Sequence, residues 1–262
     1  MADKALTVNK VQEYLKEKNL SRVNSQSALV NPKTTWYTKH GKRIVDLCVG
    51  IPAFIITLPI NLVIGIITYF DVGRPIFFKQ TRSGLNGKHF TLYKFRNMKN
   101  TTNDHGELLP PSQRVTSWGR FVRKTSLDEL LNFYSIVKGD MSIIGPRPLP
   151  SSYDAYYSDR HKMKFCVRPG LECPSLHSDG DIRHYDKQLE NDIWYVENIS
   201  FWMDIRLAFQ LVRMVFDRRQ RSYHANVDGG DFAGYDEDGR AINYRTALAG
   251  IKESYNDNPK VS

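Results

Sequence analysis

Hydrophobic and polar residues are unevenly distributed along the chain, and this divides it into segments. Residues 1–38 are mostly polar and predict an N-terminal extension with one short amphipathic helix near Val8 to Lys18. Ile44 to Phe70 then form a 27-residue apolar stretch whose only strongly polar members are Asp46 and Asn61. About 20 such residues are enough to span a bilayer. We therefore predict one membrane segment, within residues 39–73.

Two features of this segment bear on its path through the membrane. Pro52 and Pro59 interrupt it, and a proline inside a helix removes a hydrogen bond and favours a kink. Basic residues also precede and follow it, which places both ends on the same side by the positive-inside rule. We expect a re-entrant helix that breaks at Pro59, with Thr57 close to the break. A single kinked span and a buried core helix are the alternatives.

Beyond Gly73 the pattern changes to that of a mixed α+β domain, which we place at residues 74–225. Two strand-like runs, PIFFKQTRSG and KHFTLYKF, flank Asn86-Gly87, a pair typical of a β-hairpin turn. Residues 101–113 are polar and predict a surface loop. Most of the remaining domain predicts helices. The Gly- and Asp-rich tail, residues 226–262, is expected to be mobile.

One late helix, predicted over Ser200 to Arg221, has a mixed character. Aromatic and aliphatic residues recur along it with arginines between them. This pattern favours an amphipathic helix lying in the membrane interface. An ordinary helix packed on a soluble core has the same periodicity.

Composition narrows the class of protein. The chain has 262 residues, a net charge of +9 and 41% hydrophobic residues, which excludes a wholly disordered protein. Three cysteines are too few for a disulfide-stapled secreted domain. The basic excess is compatible with nucleic acid, an anionic membrane surface or a phosphorylated substrate. We expect no nucleic-acid partner, because the basic residues flank a membrane segment and form no single patch or known motif.

Asp128 and Glu129 are the first candidates for chemistry. They follow Ser126 at the start of an apolar-periodic helix, and Ser126 with Glu129 reads as a capping box that needs no catalysis to explain it. The functional interpretation rests on the neighbourhood, where Arg120, Arg123 and Lys124 precede two carboxylates able to hold a divalent cation.

Basic residues elsewhere supply candidate phosphate contacts. Arg147 lies between Pro146 and Pro148, which stiffen the backbone and suit a guanidinium to bidentate phosphate binding; a structural turn with a solvated arginine is the alternative. The other candidates are Lys94, Arg96 and Arg168. Separated basic sites and two carboxylates in a chain with one membrane segment describe an enzyme that handles polyanionic phosphates at a bilayer surface.

The order of these motifs resembles the small monotopic phosphoglycosyl transferases, the bacterial sugar transferase family. The resemblance runs from His40 to Arg221 through PIFFKQTRSG, LYKFRNM, RKTSLDELLN, VKGDMSIIGPRPL, VRPG and YVENISFWMDI. It implies transfer of a phospho-sugar from a UDP-sugar to polyprenol phosphate, with release of UMP and with Mg²⁺ as cofactor. It also implies membrane lipid as a partner, downstream glycosyltransferases as further partners, and a catalytic domain on the cytoplasmic face of the bacterial inner membrane.

The resemblance also assigns roles to residues. Asp128 matches the nucleophile that forms a covalent phospho-sugar intermediate, and Glu129 matches the residue that assists at the metal. Arg123 and Arg147 match phosphate or nucleotide contacts. Direct attack by the polyprenol phosphate, with Asp128 only a metal ligand, is an alternative, and so is a catalytically silent membrane scaffold of the same fold.

Two positions depart from the family pattern. Leu58 stands where a serine commonly precedes Pro59, so we expect Thr57 to take over the role of that hydroxyl. After Arg168-Pro169-Gly170 the chain continues LECPSLHSDGD instead of the usual ITGWAQVNG-like stretch. The sugar donor is therefore left open by the sequence.

Overall fold

The computed structural model describes residues 7–173, 184–216 and 230–257. Within these ranges the chain has mixed helix and sheet, as the α+β prediction expected. The helices are α1 Val8–Leu15, α2 Ser21–Gln26, α3 Lys42–Val72, α4 Pro111–Arg114, α5 Ser117–Lys124, α6 Asn132–Lys138, α7 Asp159–Lys162, α8 Tyr185–Asn198, α9 Phe201–Phe216 and α10 Tyr244–Asp257. The strands are β1 Phe77–Ser83, β2 His89–Phe95, β3 Ser142–Ile144, β4 Gly170–Glu172, β5 Phe232–Tyr235 and β6 Ala241–Asn243.

The strands form three two-stranded sheets. β1 and β2 are the predicted antiparallel hairpin, with Phe77 opposite Phe95 and Ser83 opposite His89. Asn86, in the short connection between them, has a positive φ of 55°, the left-handed conformation that asparagine and glycine tolerate best. β3 and β4 pair in parallel, and β5 and β6 form a second hairpin.

Helix α3 is long and apolar enough to cross a membrane, the single such helix among the described residues. It is continuous through Pro52 and Pro59, so the predicted break at Pro59 is wrong: the helix continues on both sides of that proline. Its outward-facing side chains are large and aliphatic or aromatic. The residues it buries are mostly small or polar: Lys42, Asp46, Gly50, Thr57, Asn61, Ile64, Gly65 and Thr68. A helix packed on a soluble core buries its apolar face, whereas α3 buries a mostly small and polar face and exposes an apolar one.

Both ends of α3 contact the same globular domain. At the start, Lys42 Nζ lies 2.6 Å from Asp204 Oδ2 of α9, in a pair that is almost fully buried. At the end, Thr116 Oγ1 donates to Asp71 Oδ2 at 2.6 Å, and Trp118 Nε1 donates to Thr68 Oγ1 at 3.2 Å. Breaking a buried ion pair such as the first typically costs about 3–5 kcal/mol. Both ends of the helix are thereby anchored to the domain.

Helix α9 is amphipathic, as its periodicity predicted. Leu207 is fully buried and packs against Ile144 and Tyr195. On the opposite side Trp202 and Phe209 are 77% and 74% exposed. One face of α9 therefore packs on the core and the other presents aromatic side chains outward. The arginines at 218, 219 and 221, which were predicted to belong to this helix, lie outside the described residues.

The expectation of a mobile tail is wrong for residues 230–257. These residues form β5, β6 and α10, and Phe232 and Tyr235 are buried with Val23, Tyr153 and Leu189. The glycines and aspartates that suggested mobility include the turn between the two strands, where the Gly239 N–H donates to the Asp236 carbonyl. The N-terminal extension packs on the same unit, because Gln12 Nε2 donates to the Phe232 carbonyl at 2.6 Å.

Candidate active site

Asp128 and Glu129 lie in a short 3₁₀ turn, Leu127–Glu129, between α5 and α6. The residue before the turn, Ser126, has φ 55° and ψ 23°, a left-handed conformation. For a residue other than glycine such a conformation costs of order 1–3 kcal/mol and is concentrated at functional sites. The Ser126 side chain makes no capping hydrogen bond. The capping-box interpretation of this pair is therefore wrong, because Ser126 is not in the extended conformation that an N-cap needs.

Glu129 turns toward two cations from other parts of the chain. Its Oε1 lies 2.8 Å from Lys94 Nζ, on β2, and 3.3 Å from Arg147 Nη2. All three side chains are partly buried, at 24–32% exposure. Contacts 35 and 18 residues apart in sequence hold the carboxylate, and this long-range arrangement replaces the local cap.

Asp128 is the more deeply buried carboxylate, at 7% exposure. Burial raises its pKa above the ordinary value, and the charge of Glu129 acts in the same direction, while Lys94 and Arg123 oppose the shift. A carboxylate with a raised pKa is a stronger base and nucleophile once it is ionised. Burial lowers the pKa of Arg123, against the influence of Asp128. Asp128 and Arg123, both predicted as site residues, therefore lie close enough to interact electrostatically.

The loop that carries Arg147 is held against β4 by a close backbone approach. A Cβ on Gly145 would lie 2.5 Å from the Arg168 carbonyl oxygen, so a larger residue cannot fit there without a shift. The Gly170 N–H donates to the Pro146 carbonyl at 3.0 Å. These contacts, with the flanking prolines, fix the backbone from which Arg147 reaches Glu129.

The structure places two predicted phosphate contacts apart from this cluster. Arg96 donates to the carbonyl oxygens of Pro75, at 2.9 Å, and Met98, at 3.2 Å. Arg168 Nε donates to the Gly139 carbonyl at 3.1 Å, near the C-terminal end of α6. Both side chains bond to the backbone, and neither lines the small pocket between Lys94, Glu129 and Arg147.

Two residues of that pocket were missed at the level of sequence. Arg82, on β1, donates from Nη1 to the Pro148 carbonyl at 2.8 Å and from Nη2 to Gln80 Oε1 at 2.5 Å. Burial, together with the charge of Arg147, lowers the pKa of Arg82 to about 10. Asn132 is 4% exposed, and its Oδ1 has no hydrogen-bond partner among the described residues. A polar residue beginning a helix or alternating in a strand carries no distinctive signal, so neither stands out in the sequence.

A second, apolar groove lies beside α3. Its volume is about 1100 Å³, and its walls include Leu58, Leu62, Ile66, Phe70, Phe77 and Leu131, with Arg74 and Lys79 also in its lining. Asn61 lines the groove at 8% exposure, and both polar atoms of its amide are buried without a hydrogen-bond partner in the described part of the chain.

The predicted helix-break residues lie next to this groove. Pro59 continues the helix, and Thr57 Oγ1 donates to the Phe54 carbonyl at 3.1 Å. Pro59 has no backbone N–H, so the carbonyl of Ile55, the residue after Phe54, lacks its usual helical donor. The threonine hydroxyl therefore bonds locally to the helix backbone two residues before Pro59.

The described residues thus combine a carboxylate pair among cationic side chains with one helix apolar enough to cross a membrane. Residues 37–218 match the bacterial sugar transferase family. The chain belongs to that family, as its motifs predicted, and is a transferase of the phosphoglycosyl transferase kind.

Three relatives show how far the similarity extends. The uncharacterized sugar transferase EpsL of Bacillus subtilis is 39% identical over 189 residues, which cover 71% of this chain and 94% of that protein. The undecaprenyl-phosphate galactose phosphotransferase of Salmonella typhimurium is 34% identical, over 70% of this chain and 41% of its own length. The UDP-N-acetylgalactosamine-undecaprenyl-phosphate N-acetylgalactosaminephosphotransferase of Aeromonas hydrophila is 31% identical, over 68% and 44%. The chain thus spans less than half the length of the last two.

Proposed function

We propose that the protein transfers a phospho-sugar from a UDP-sugar to polyprenol phosphate and releases UMP. The observation that carries this proposal is the buried Asp128 beside Glu129, Lys94 and Arg147, at the edge of a domain whose long helix presents an apolar face outward. The Salmonella and Aeromonas relatives are named for sugar-phosphate transfer to undecaprenyl phosphate, which supports the same reaction class here.

The proposed reaction has two steps. In the first, a carboxylate oxygen of Asp128 attacks the sugar-bearing phosphorus of the donor; a new P–O bond forms, the diphosphate P–O bond breaks, and UMP leaves with the bonding electrons. In the second, a phosphate oxygen of the polyprenol phosphate attacks the same phosphorus and expels the Asp128 carboxylate. Covalent catalysis of this kind divides the transfer between a water-soluble donor and a lipid acceptor into two steps. The raised pKa of Asp128 supports its role as nucleophile.

The cations around the pair account for how the donor is held. Arg147 and Lys94 converge on Glu129 from two elements, and Arg123 influences Asp128 electrostatically. Arginine binds phosphate oxygens bidentately, and fixed positive charge stabilises a transferring phosphoryl group in its transition state. We assign Arg147 and Arg123 to the diphosphate, and Lys94 to the orientation of Glu129.

A magnesium ion fits this set of residues. Mg²⁺ prefers oxygen ligands and is usually held by one or two carboxylates with waters and substrate phosphates. Asp128 and Glu129 would supply the carboxylates. The buried Oδ1 of Asn132, which has no hydrogen-bond partner among the residues that the structure describes, offers a third oxygen in the pocket shared with Glu129. When bound, the ion would neutralise negative charge on the diphosphate and the leaving group.

The exposed apolar face of α3 supports a membrane position for the site. Lipid accepts the exposed aliphatic face, while the domain covers the polar face, and contacts at Lys42 and Asp71 tether both ends to one domain. We propose that α3 is re-entrant, entering and leaving the inner membrane on its cytoplasmic face. The apolar groove with Arg74 and Lys79 in its lining suits the chain and phosphate of a polyprenol phosphate.

The test is UMP release by the purified protein in nanodiscs, measured against a panel of UDP-sugars. Sustained release with one donor, dependent on both polyprenol phosphate and Mg²⁺, is the expected result. Absence of release with every donor, from protein shown to be folded, would contradict the proposed function.

A further inference from the structure

Arg82 links the β1–β2 hairpin to the loop that carries Arg147. Its Nη1 donates to the carbonyl of Pro148, the residue immediately after Arg147, across 66 residues of sequence. Arg82 also forms an isolated antiparallel bridge with Pro150. Two contacts, one from the side chain and one from the backbone, therefore hold this loop against the hairpin.

The register of the hairpin places Arg82 and Lys94 on one face. Arg82 lies opposite Phe90, and Lys94 lies opposite Phe78. Cross-strand partners share a face and alternate residues return to it, so positions 78, 82, 90 and 94 face the same way. Lys94 contacts Glu129 from this face and Arg82 contacts the Pro148 carbonyl. One rigid ribbon thus sets the separation between the carboxylate turn and the Arg147 loop.

The surroundings of Arg82 do not explain it as an ordinary ion-pair residue. Among the described residues no carboxylate lies within ion-pair distance of its guanidinium, and its Nε is buried without a hydrogen-bond partner. Its second guanidinium nitrogen is held by the neutral amide of Gln80. A buried cation costs stability unless it is compensated. The charge is retained next to Arg147, where it adds to the positive potential of the pocket.

We propose that Arg82 is a positioning residue for Arg147: it holds the Pro148 carbonyl against the hairpin and so fixes the Arg147 guanidinium beside Glu129, ready to bind the diphosphate of the donor. The proposal rests on the proposed function for the identity of that ligand. In this role Arg82 makes its direct contacts with protein groups and acts on the substrate through Arg147.

A double-mutant cycle tests the proposal, using Arg82→Gln, Arg147→Gln and the double variant. Because a small misplacement of a binding group can cost about 100-fold in rate, we expect Arg82→Gln to lower kcat/KM by about that factor. The double variant should be no more than about threefold worse than Arg147→Gln alone, because residues that act as a unit are non-additive. Arg114→Gln is the matched control, since Arg114 also donates to a backbone carbonyl, that of Leu109, away from the pocket.

Affinity for UDP, measured by calorimetry on the same variants, provides a readout that does not require turnover. The same non-additive pattern is expected. Multiplicative losses in the cycle, or an Arg82→Gln variant as active as Arg114→Gln, would overturn the proposal. If Arg82→Gln does not fold, Arg82→Lys replaces it in the cycle, because lysine retains the charge but has a single nitrogen in place of the planar guanidinium fork that reaches both Pro148 and Gln80. A wild-type protein without UMP release refutes the proposed function, whereas the UDP cycle still decides the role of Arg82.

Discussion

At the scale of single residues, the site depends on contacts that oppose local preference. Ser126 adopts a left-handed conformation and forms no cap, while Glu129 is held by Lys94 and Arg147. The sequence alone suggested the capping box because Ser126 and Glu129 have the required spacing. The long-range ion pairs that override it are invisible at that level. For the same reason the carboxylate pair, Lys94 and Arg147 could be proposed from motifs, whereas Arg82 and Asn132 could not.

The acid limb of the pH profile tests the electrostatics of Asp128. Lys94 lowers the pKa of Asp128 against the raising effect of burial, so Lys94→Met should raise that pKa further. An acid with a higher pKa remains protonated, and inactive as a nucleophile, to a higher pH. We therefore expect the acid limb of kcat/KM to move upward by about one pH unit, measured as UMP release across the acidic and neutral range.

Lys138→Met serves as the control for this shift, because Lys138 forms an exposed pair with Asp140. An acid limb that stays in place in Lys94→Met, or moves to lower pH, would show that Lys94 does not influence the ionisation on which activity depends.

At the scale of elements, the sequence predicted best where one strong local signal was enough. The Asn86-Gly87 turn identified the β1–β2 hairpin, and the 27-residue apolar stretch identified α3. The tail was misjudged because its order comes from burial of Phe232 and Tyr235 against segments more than 40 residues away in sequence. Turn-forming residues between two short strands resemble a mobile segment until those distant partners are known.

Helix α3 carries the topological prediction. If it is re-entrant, its two flanks lie on the same side of the membrane. Single cysteines at Lys39 and Lys88, both exposed, are introduced into a variant lacking Cys48, Cys166 and Cys173. An impermeant maleimide should label both positions in inside-out vesicles and neither in right-side-out vesicles, as detected by a mass shift.

Labelling of the two positions from opposite sides would establish a spanning helix. A cysteine at Lys138, an exposed residue of the globular domain, reports the orientation of each vesicle preparation and is the control for leakage.

At the scale of the whole molecule, the fold brings the proposed phosphate site and the apolar groove beside α3 into one domain. The hairpin contributes to both, since Lys94 contacts Glu129 and Phe77 lines the groove beside α3. The N-terminal extension and residues 230–257 pack together in the hydrophobic cluster that contains Tyr153. They lie outside residues 37–218, which match the family, and so add a unit that family motifs alone could not predict.

The central claim is that Asp128 carries the phospho-sugar between donor and acceptor. The direct measurement is intact and peptide mass spectrometry of the protein after incubation with UDP-sugar and Mg²⁺ in the absence of polyprenol phosphate. We predict a mass increase of one phospho-sugar on the peptide containing Asp128, a stoichiometric burst of UMP, and loss of the adduct when polyprenol phosphate is added. Asp128→Asn, which keeps the shape of the side chain, should show neither adduct nor burst. Sustained UMP release that begins only with polyprenol phosphate, without any adduct, would contradict the claim and establish direct transfer.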